Sequence, residues 1–262
     1  MKFLRNLRAV WSYLSASPRR LGAGVPEGLD RPVRALATVS AAWGVAMVML
    51  WHVVHRLTFP ALLHWIFPAL ACAAVWLFGP YRWGWMALAR SATPPGRRWR
   101  AVRWAVLVGL GAWAFAAFHG LGWKHTDAAT QLPGWLGWLW PRAMYRVMLL
   151  TPLWGAWAML VTVMYHRPTD RTDGPTRRLA GGVSAGAAAV MLAVPGAGTL
   201  VSLMSVEPAW RRFVPVAAAV AAAILGGMGL TRRFGGVSRE VLLGCNVLTQ
   251  LIFLTTCSLA MS

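Results

Sequence analysis

Seven apolar blocks divide this chain, at 35–54, 60–79, 104–121, 144–164, 180–204, 213–230 and 241–261. Each comes close to the roughly 20 helical residues needed to cross about 30 Å of hydrocarbon. A segment inside lipid must satisfy every backbone N–H and C=O within itself, so blocks of this length fold as helices. The sequence therefore predicts an all-α fold, a polytopic membrane helix bundle of about seven transmembrane helices. Six is the alternative count, because the second, third and sixth blocks are short and Pro195-Gly196 weakens the fifth. Composition agrees: 58% of the residues are hydrophobic and 13% charged, too little charge for an ordinary soluble domain.

Charge sets the expected orientation. Seven acidic residues stand against 26 Lys and Arg, a formal net charge of +19, which fits nucleic acid or an anionic membrane surface. Nucleic-acid binders gather their charge on one soluble domain, whereas here short basic runs alternate with apolar blocks. The expected partner is a lipid bilayer with an anionic inner leaflet, with no nucleic acid and with room for membrane-protein partners or a homo-oligomer. Placing the N-terminus inside puts 20 of the 26 basic residues in inner segments, the bias that Lys and Arg show for cytoplasmic loops. Removing one block would spoil that alternation, so the count favours an odd number with the C-terminus outside. The expected localisation is the inner (cytoplasmic) membrane of a bacterial cell, multi-pass.

Two regions follow. Residues 1–34 read as a cytoplasmic amphipathic helix and loop, because Phe3, Leu4, Leu7, Val10, Trp11 and Leu14 recur at helical spacing opposite Lys2, Arg5, Asn6 and Arg8. As a signal peptide its apolar region would be too short and too polar. Residues 35–262 read as a single transmembrane bundle. Within it, Gly182 with Gly186, and the group Gly226, Gly227 and Gly229, predict close helix contacts. Cys72, Cys245 and Cys257 have no ligand spacing and read as buried small residues. Trp83, Trp85, Trp99 and Trp104 on one side and Trp123, Trp135, Trp138 and Trp140 on the other read as interfacial anchors. The apolar segment from Pro133 to Pro141 is too short to span and is expected at the outer interface. Asn246 and Gln250, four apart on one helical face, should face protein or a cavity.

Chemistry has three candidate locations. His52, His55 and His64 fall at the outer end, and three imidazoles there could converge on a transition metal or haem iron, although no ligand motif is present. On the inner side Asp170, Asp173 and Glu240 share a compartment with many arginines, the pairing that Mg2+-dependent phosphate chemistry uses. Solvated loops carrying topogenic arginines are the plainer explanation of the same residues. Third, the run Arg233-Phe234-Gly235-Gly236-Val237-Ser238-Arg239-Glu240-Val241-Leu242-Leu243-Gly244, before a final apolar helix, resembles the closing segment of the cobalamin synthase family, the membrane-bound adenosylcobinamide-GDP ribazoletransferases. The segment from Pro152 to Met159 also looks like a mid-chain helix of that family. The resemblance implies a Mg2+-dependent transferase with Gly235 and Gly236 at the substrate and Asp170, Asp173 and Glu240 as its acids. It departs from the family where Ser238-Arg239-Glu240 stands in place of Thr-Gly-Asp, where Ala156 replaces an Arg, and where the Asp-rich motif early in the chain has no counterpart.

Three function classes are therefore open. The first is a multi-pass integral inner-membrane protein that is a non-catalytic subunit, a scaffold or a permease-like component. The second is a divergent cobalamin-synthase-like membrane transferase, and the third a haem- or metal-binding membrane protein. The absence of a converging carboxylate cluster in the sequence favours the first.

Overall fold

The computed structural model describes residues 2–15, 32–58, 60–77, 80–121, 143–166, 168, 172–204 and 206–261. Ten α-helices run through them: α1 Lys2–Ser15, α2 Pro32–Leu57, α3 Pro60–Leu77, α4 Arg82–Ser91, α5 Arg100–Leu121, α6 Ala143–Tyr165, α7 Gly174–Gly181, α8 Ala185–Ser202, α9 Val214–Phe234 and α10 Arg239–Ala260. No strand occurs among the described residues. Six stretches, carried by α2, α5, α6, α8, α9 and α10, are helical, long and apolar enough to cross a membrane.

Packing pairs give the helix directions. Gly44 lies against the Leu149 backbone and Trp51 against Tyr145, ring centroids 5.2 Å apart, so α2 is antiparallel to α6. Thr162 bonds to Cys245 at 3.3 Å and Trp154 lies against Phe253, so α6 is antiparallel to α10. Trp113 Nε1 donates to Thr255 Oγ1 at 2.7 Å, and Gly120 abuts Ser258, which makes α5 parallel to α10. Helices α2 and α5 consequently run the same way, and the chain must return between them.

The return is made in two pieces. Helix α3 runs antiparallel to α5, with Trp65 against His119 and the Cys72 thiol 3.9 Å from the Gly111 carbonyl, and stops at Leu77. Helix α4 resumes at Arg82 and lies along the first half of α10, where Trp85 stacks on Trp76 of α3 at 5.9 Å. Gly84 makes this approach possible: a Cβ there would stand 2.2 Å from the Leu243 carbonyl oxygen. Only 13 residues of α3, Trp65–Leu77, form the apolar part of that helix.

Helices α6 and α10 occupy the centre. Their spans are 89% and 67% buried, against about a third or less for the other four, as expected of helices that are apolar all round. The outer helices show Val108, Val190 and Leu225 on their exposed faces, the surface a lipid-facing helix needs. Pro195 lies inside α8, which runs unbroken from Ala185 to Ser202, and one turn later Thr199 hydrogen-bonds the Pro195 carbonyl at 2.6 Å and receives Trp154 Nε1 at 3.0 Å.

Two expectations change. The fifth block is not one helix from residue 180: α7 ends at Gly181, Ser184 caps α8, and so Gly182 and Gly186 do not form one packing face. A Cβ on Gly186 would meet nothing within 4 Å, whereas Gly227 does pack, against Thr162. Trp85 is not an interfacial anchor but a buried side chain, 4% exposed.

Candidate functional site

One end of the bundle gathers the described basic residues Arg90, Arg177, Arg178, Arg232, Arg233 and Arg239, and two of them, Arg233 and Arg239, hold the ends of other helices. The turn from α9 to α10 needs Gly235 at φ 72° and Gly236 at φ 146°, left-handed conformations that glycine alone adopts cheaply. On one side of this turn Arg233 donates to the carbonyls of Ser91 and Thr93 at 3.2 and 3.1 Å, closing the C-terminal end of α4. On the other side the buried Arg239 guanidinium donates to the carbonyls of Tyr13 and Leu14 at the end of α1. A cation suits that position because the last carbonyls of a helix are orphaned acceptors with partial negative charge. Trp83 Nε1 adds a bond to the Ser15 carbonyl at 3.0 Å.

Asp173 and Glu240 belong to the same network. The Asp173 carboxylate caps α7 by accepting Thr176 N–H at 2.8 Å and, through its second oxygen, Arg239 N–H at 3.1 Å. Glu240 pairs with Arg90. Tyr13 hydrogen-bonds Thr176 at 2.7 Å, and burial, followed by the negative charge of Asp173, pushes its hydroxyl well above the usual phenol range. Asp170 lies outside the described residues, as do Asp127 and the segment from Pro133 to Pro141. Gly235 and Gly236 form the turn just described. Of the histidines, His52 is an exposed side chain 4.9 Å from the Tyr145 ring; His55 and His64 sit in α2 and α3, but their side chains are outside the described ones. Among the described residues no group of three His, Cys, Asp or Glu could hold a metal ion.

Deeper in the bundle a second polar arrangement forms where α3 gives way to α4. Tyr81, in that connection, shares a 2.5 Å hydrogen bond with Ser40 of α2. Asn246 accepts from Gln250 Nε2 at 2.5 Å and directs its own amide at the Met159 sulfur, 3.5 Å away. Ser40, Tyr81 and Asn246 are fully or almost fully buried. Gly155 of α6 makes room for the amide pair, since a Cβ there would lie 2.7 Å from Gln250 Nε2 and 2.8 Å from Asn246. Asn246 stands seven residues beyond Arg239, about 10 Å along the helix at 1.5 Å per residue.

Beside this seam is a cavity of about 20 Å³, bordered by Trp43, Tyr81, Trp85, Phe118, Gln250 and Leu254. That is room for roughly one water-sized oxygen. Trp85 Nε1 is buried and has no hydrogen-bond partner among the described residues, a state that costs about 1–3 kcal/mol. The sequence points to Asn246 and Gln250; it does not single out Ser40 or Tyr81, and it reads Trp85 as an anchor at the interface. The signal available was Phe78-Gly79-Pro80-Tyr81, a helix-breaking tetrapeptide at the end of an apolar block.

No family model, curated protein or solved structure matches this chain. Its six long apolar helices, four of them around a buried central pair, define it as a membrane-embedded helical protein.

Proposed function

We propose that this protein is a non-catalytic, permease-like component of a bacterial inner membrane, with its basic end in the cytoplasm. The observation that carries the reading is the interrupted α3–α4 crossing laid against the neutral seam of Ser40, Tyr81, Asn246 and Gln250. Non-helical backbone at membrane depth is tolerated where it is buried in protein or lines a path, and interrupted helices of this kind build solute sites in transporters. The described acids support the same reading, because Asp173 and Glu240 are occupied in holding helix ends and Arg90. The orientation rests on the basic residues collected at one end.

Reconstitution tests the activity. Proteoliposomes carrying the full chain should take up small neutral solutes faster than protein-free vesicles, and Asn246→Leu should abolish the difference. Wild-type uptake equal to that of empty vesicles overturns the proposal. Reporter fusions after Arg100 and Ser262 test the orientation: the expected result is inside and outside respectively, and the reverse removes the cytoplasmic placement.

A further inference from the structure

Helix α1 has two partly apolar sides, and the described residues cover only one of them. Its buried side is made by Ala9, Val10, Tyr13 and Leu14, which pack on the bundle beside α2. Leu4, Arg8 and Trp11, spaced by four and three residues, form a stripe along the other side. Leu4 is 68% exposed, Trp11 45% and Phe3 at the tip 48%, and Arg5 and Arg8 are exposed among them. The sequence reads Phe3, Leu4, Leu7, Val10, Trp11 and Leu14 as one apolar face, and the structure divides it. Val10 and Leu14 go to the bundle, while Leu4 and Trp11 stay outside on either side of Arg8.

The position of α1 says what lies against the open stripe. Its last carbonyls are held by Arg239, the first residue of α10, and Tyr13 bonds Thr176 in the first turn of α7, so α1 sits at the level where these helices begin. With 14 residues, about 21 Å at 1.5 Å per residue, it is too short to cross the hydrocarbon. Lipid headgroups lie at the level of the helix ends of a membrane-embedded bundle.

We propose that the open stripe of α1 is a docking surface for the anionic phospholipid headgroups of the leaflet at this end of the bundle. Leu4 and Trp11 enter the boundary between headgroups and acyl chains, Phe3 follows at the tip, and Arg5 and Arg8 pair with the phosphates. Charge complementarity selects this occupant. Neither arginine has an ion-pair partner among the described residues, and Arg82 adds a third charge beside the Ser15 carbonyl. The described carboxylates of this end are engaged, Asp173 with backbone N–H groups and Glu240 with Arg90. A soluble polyanion would use the arginines alone, whereas exposed leucine, phenylalanine and tryptophan beside them need an apolar boundary next to the charge. The surface is independent of what the bundle carries.

The test follows hydrogen–deuterium exchange of α1 in the full chain, reconstituted as a single copy per nanodisc. In discs containing phosphatidylglycerol the amides from Arg5 to Trp11 should exchange about thirtyfold more slowly than in discs of phosphatidylcholine alone, the effect of two arginines at an anionic surface. The difference should shrink in high salt and vanish in the double variant Arg5→Gln, Arg8→Gln. Leu4→Ser with Trp11→Ser should speed exchange in both lipids. Exchange in α10 is the reference and should stay unchanged throughout; where a variant fails to fold, the wild-type comparison of lipids and salt decides alone. Equal exchange in the two lipids overturns the proposal. So does protection that appears only with two copies per disc whatever the lipid, which assigns the face to a second copy of this chain.

Discussion

Replacing Gly84 with alanine is the most direct test of the packing that places α4. The added Cβ would lie 2.2 Å from the Leu243 carbonyl oxygen, 2.6 Å from Val247 Cγ2 and 2.8 Å from the Leu243 carbonyl carbon. Two of these three atoms are α10 backbone, so no rotamer change relieves the clash. To reach an ordinary contact near 3.4 Å, α4 must move about 1.2 Å away from α10. Forcing a methyl group into a packed contact costs about 1–3 kcal/mol, and a rigid backbone neighbour puts this site at the upper end. The shift also draws Tyr81 and Trp85 away from Asn246 and Gln250, because they flank Gly84 in the same short segment. Gly109→Ala is the control: nothing lies within 4 Å of its Cβ, and alanine is favoured over glycine in a helix interior by about 0.5–1 kcal/mol. Thermal and SDS-induced unfolding of the two variants in detergent should therefore move in opposite directions. A G84A protein as stable as G109A would refute the backbone-on-backbone placement of α4.

Arg239→Gln should weaken the clamp on α1 by about 2–3 kcal/mol, since charge-assisted bonds to two carbonyls are lost, and limited trypsin digestion should then cut α1 at Arg5 or Arg8 sooner than in the wild type. Glu240→Ala should cost less than about 1 kcal/mol, because the Arg90–Glu240 pair is 41% and 35% exposed; a larger loss, or one insensitive to salt, would show a buried role for Glu240. Tyr13 predicts a pH dependence. Its hydroxyl is held protonated in the folded protein while the unfolded chain ionises near pH 10, so its contribution is intact below about pH 10 and declines above it. Unfolding measured from pH 8 to 11 should show that decline in the wild type and a shallower one in Tyr13→Phe.

The helical bundle was largely legible because hydrocarbon thickness and backbone satisfaction leave few options, and blocks of this length carry that constraint in their sequence. Where the reading differed, a local signal competed with a tertiary one. Pro195-Gly196 weakened the fifth block as a span, yet α8 runs unbroken through it, with Thr199 one turn later joined to Trp154 of α6. Gly182 and Gly186 looked like one packing face until the Ser184 cap split them between two helices. The arginines read as topogenic charge, and nothing in the sequence indicated that Arg233 and Arg239 cap other helices. Their partners are backbone carbonyls 140 to 226 residues away, and a carbonyl has no side-chain identity for a pattern to reveal.

The seam shows the same limit from the other direction. Asn246 and Gln250 stood out because an amide at membrane depth is expensive unless it meets protein or a cavity. Tyr81 and Trp85 did not, because aromatic residues near the end of an apolar block fit an interfacial belt equally well. The decisive difference is a matter of depth: Gly84 lets α4 settle against Leu243 and Val247, and Tyr81 and the Trp85 indole are buried with it. An anchor at the headgroups would find water for its N–H, whereas the Trp85 N–H is buried without a hydrogen-bond partner among the described residues. The burial of the Trp85 indole thus goes with one close helix contact, which is why a single methyl group at residue 84 should disturb both the packing of α4 and the stability of the bundle.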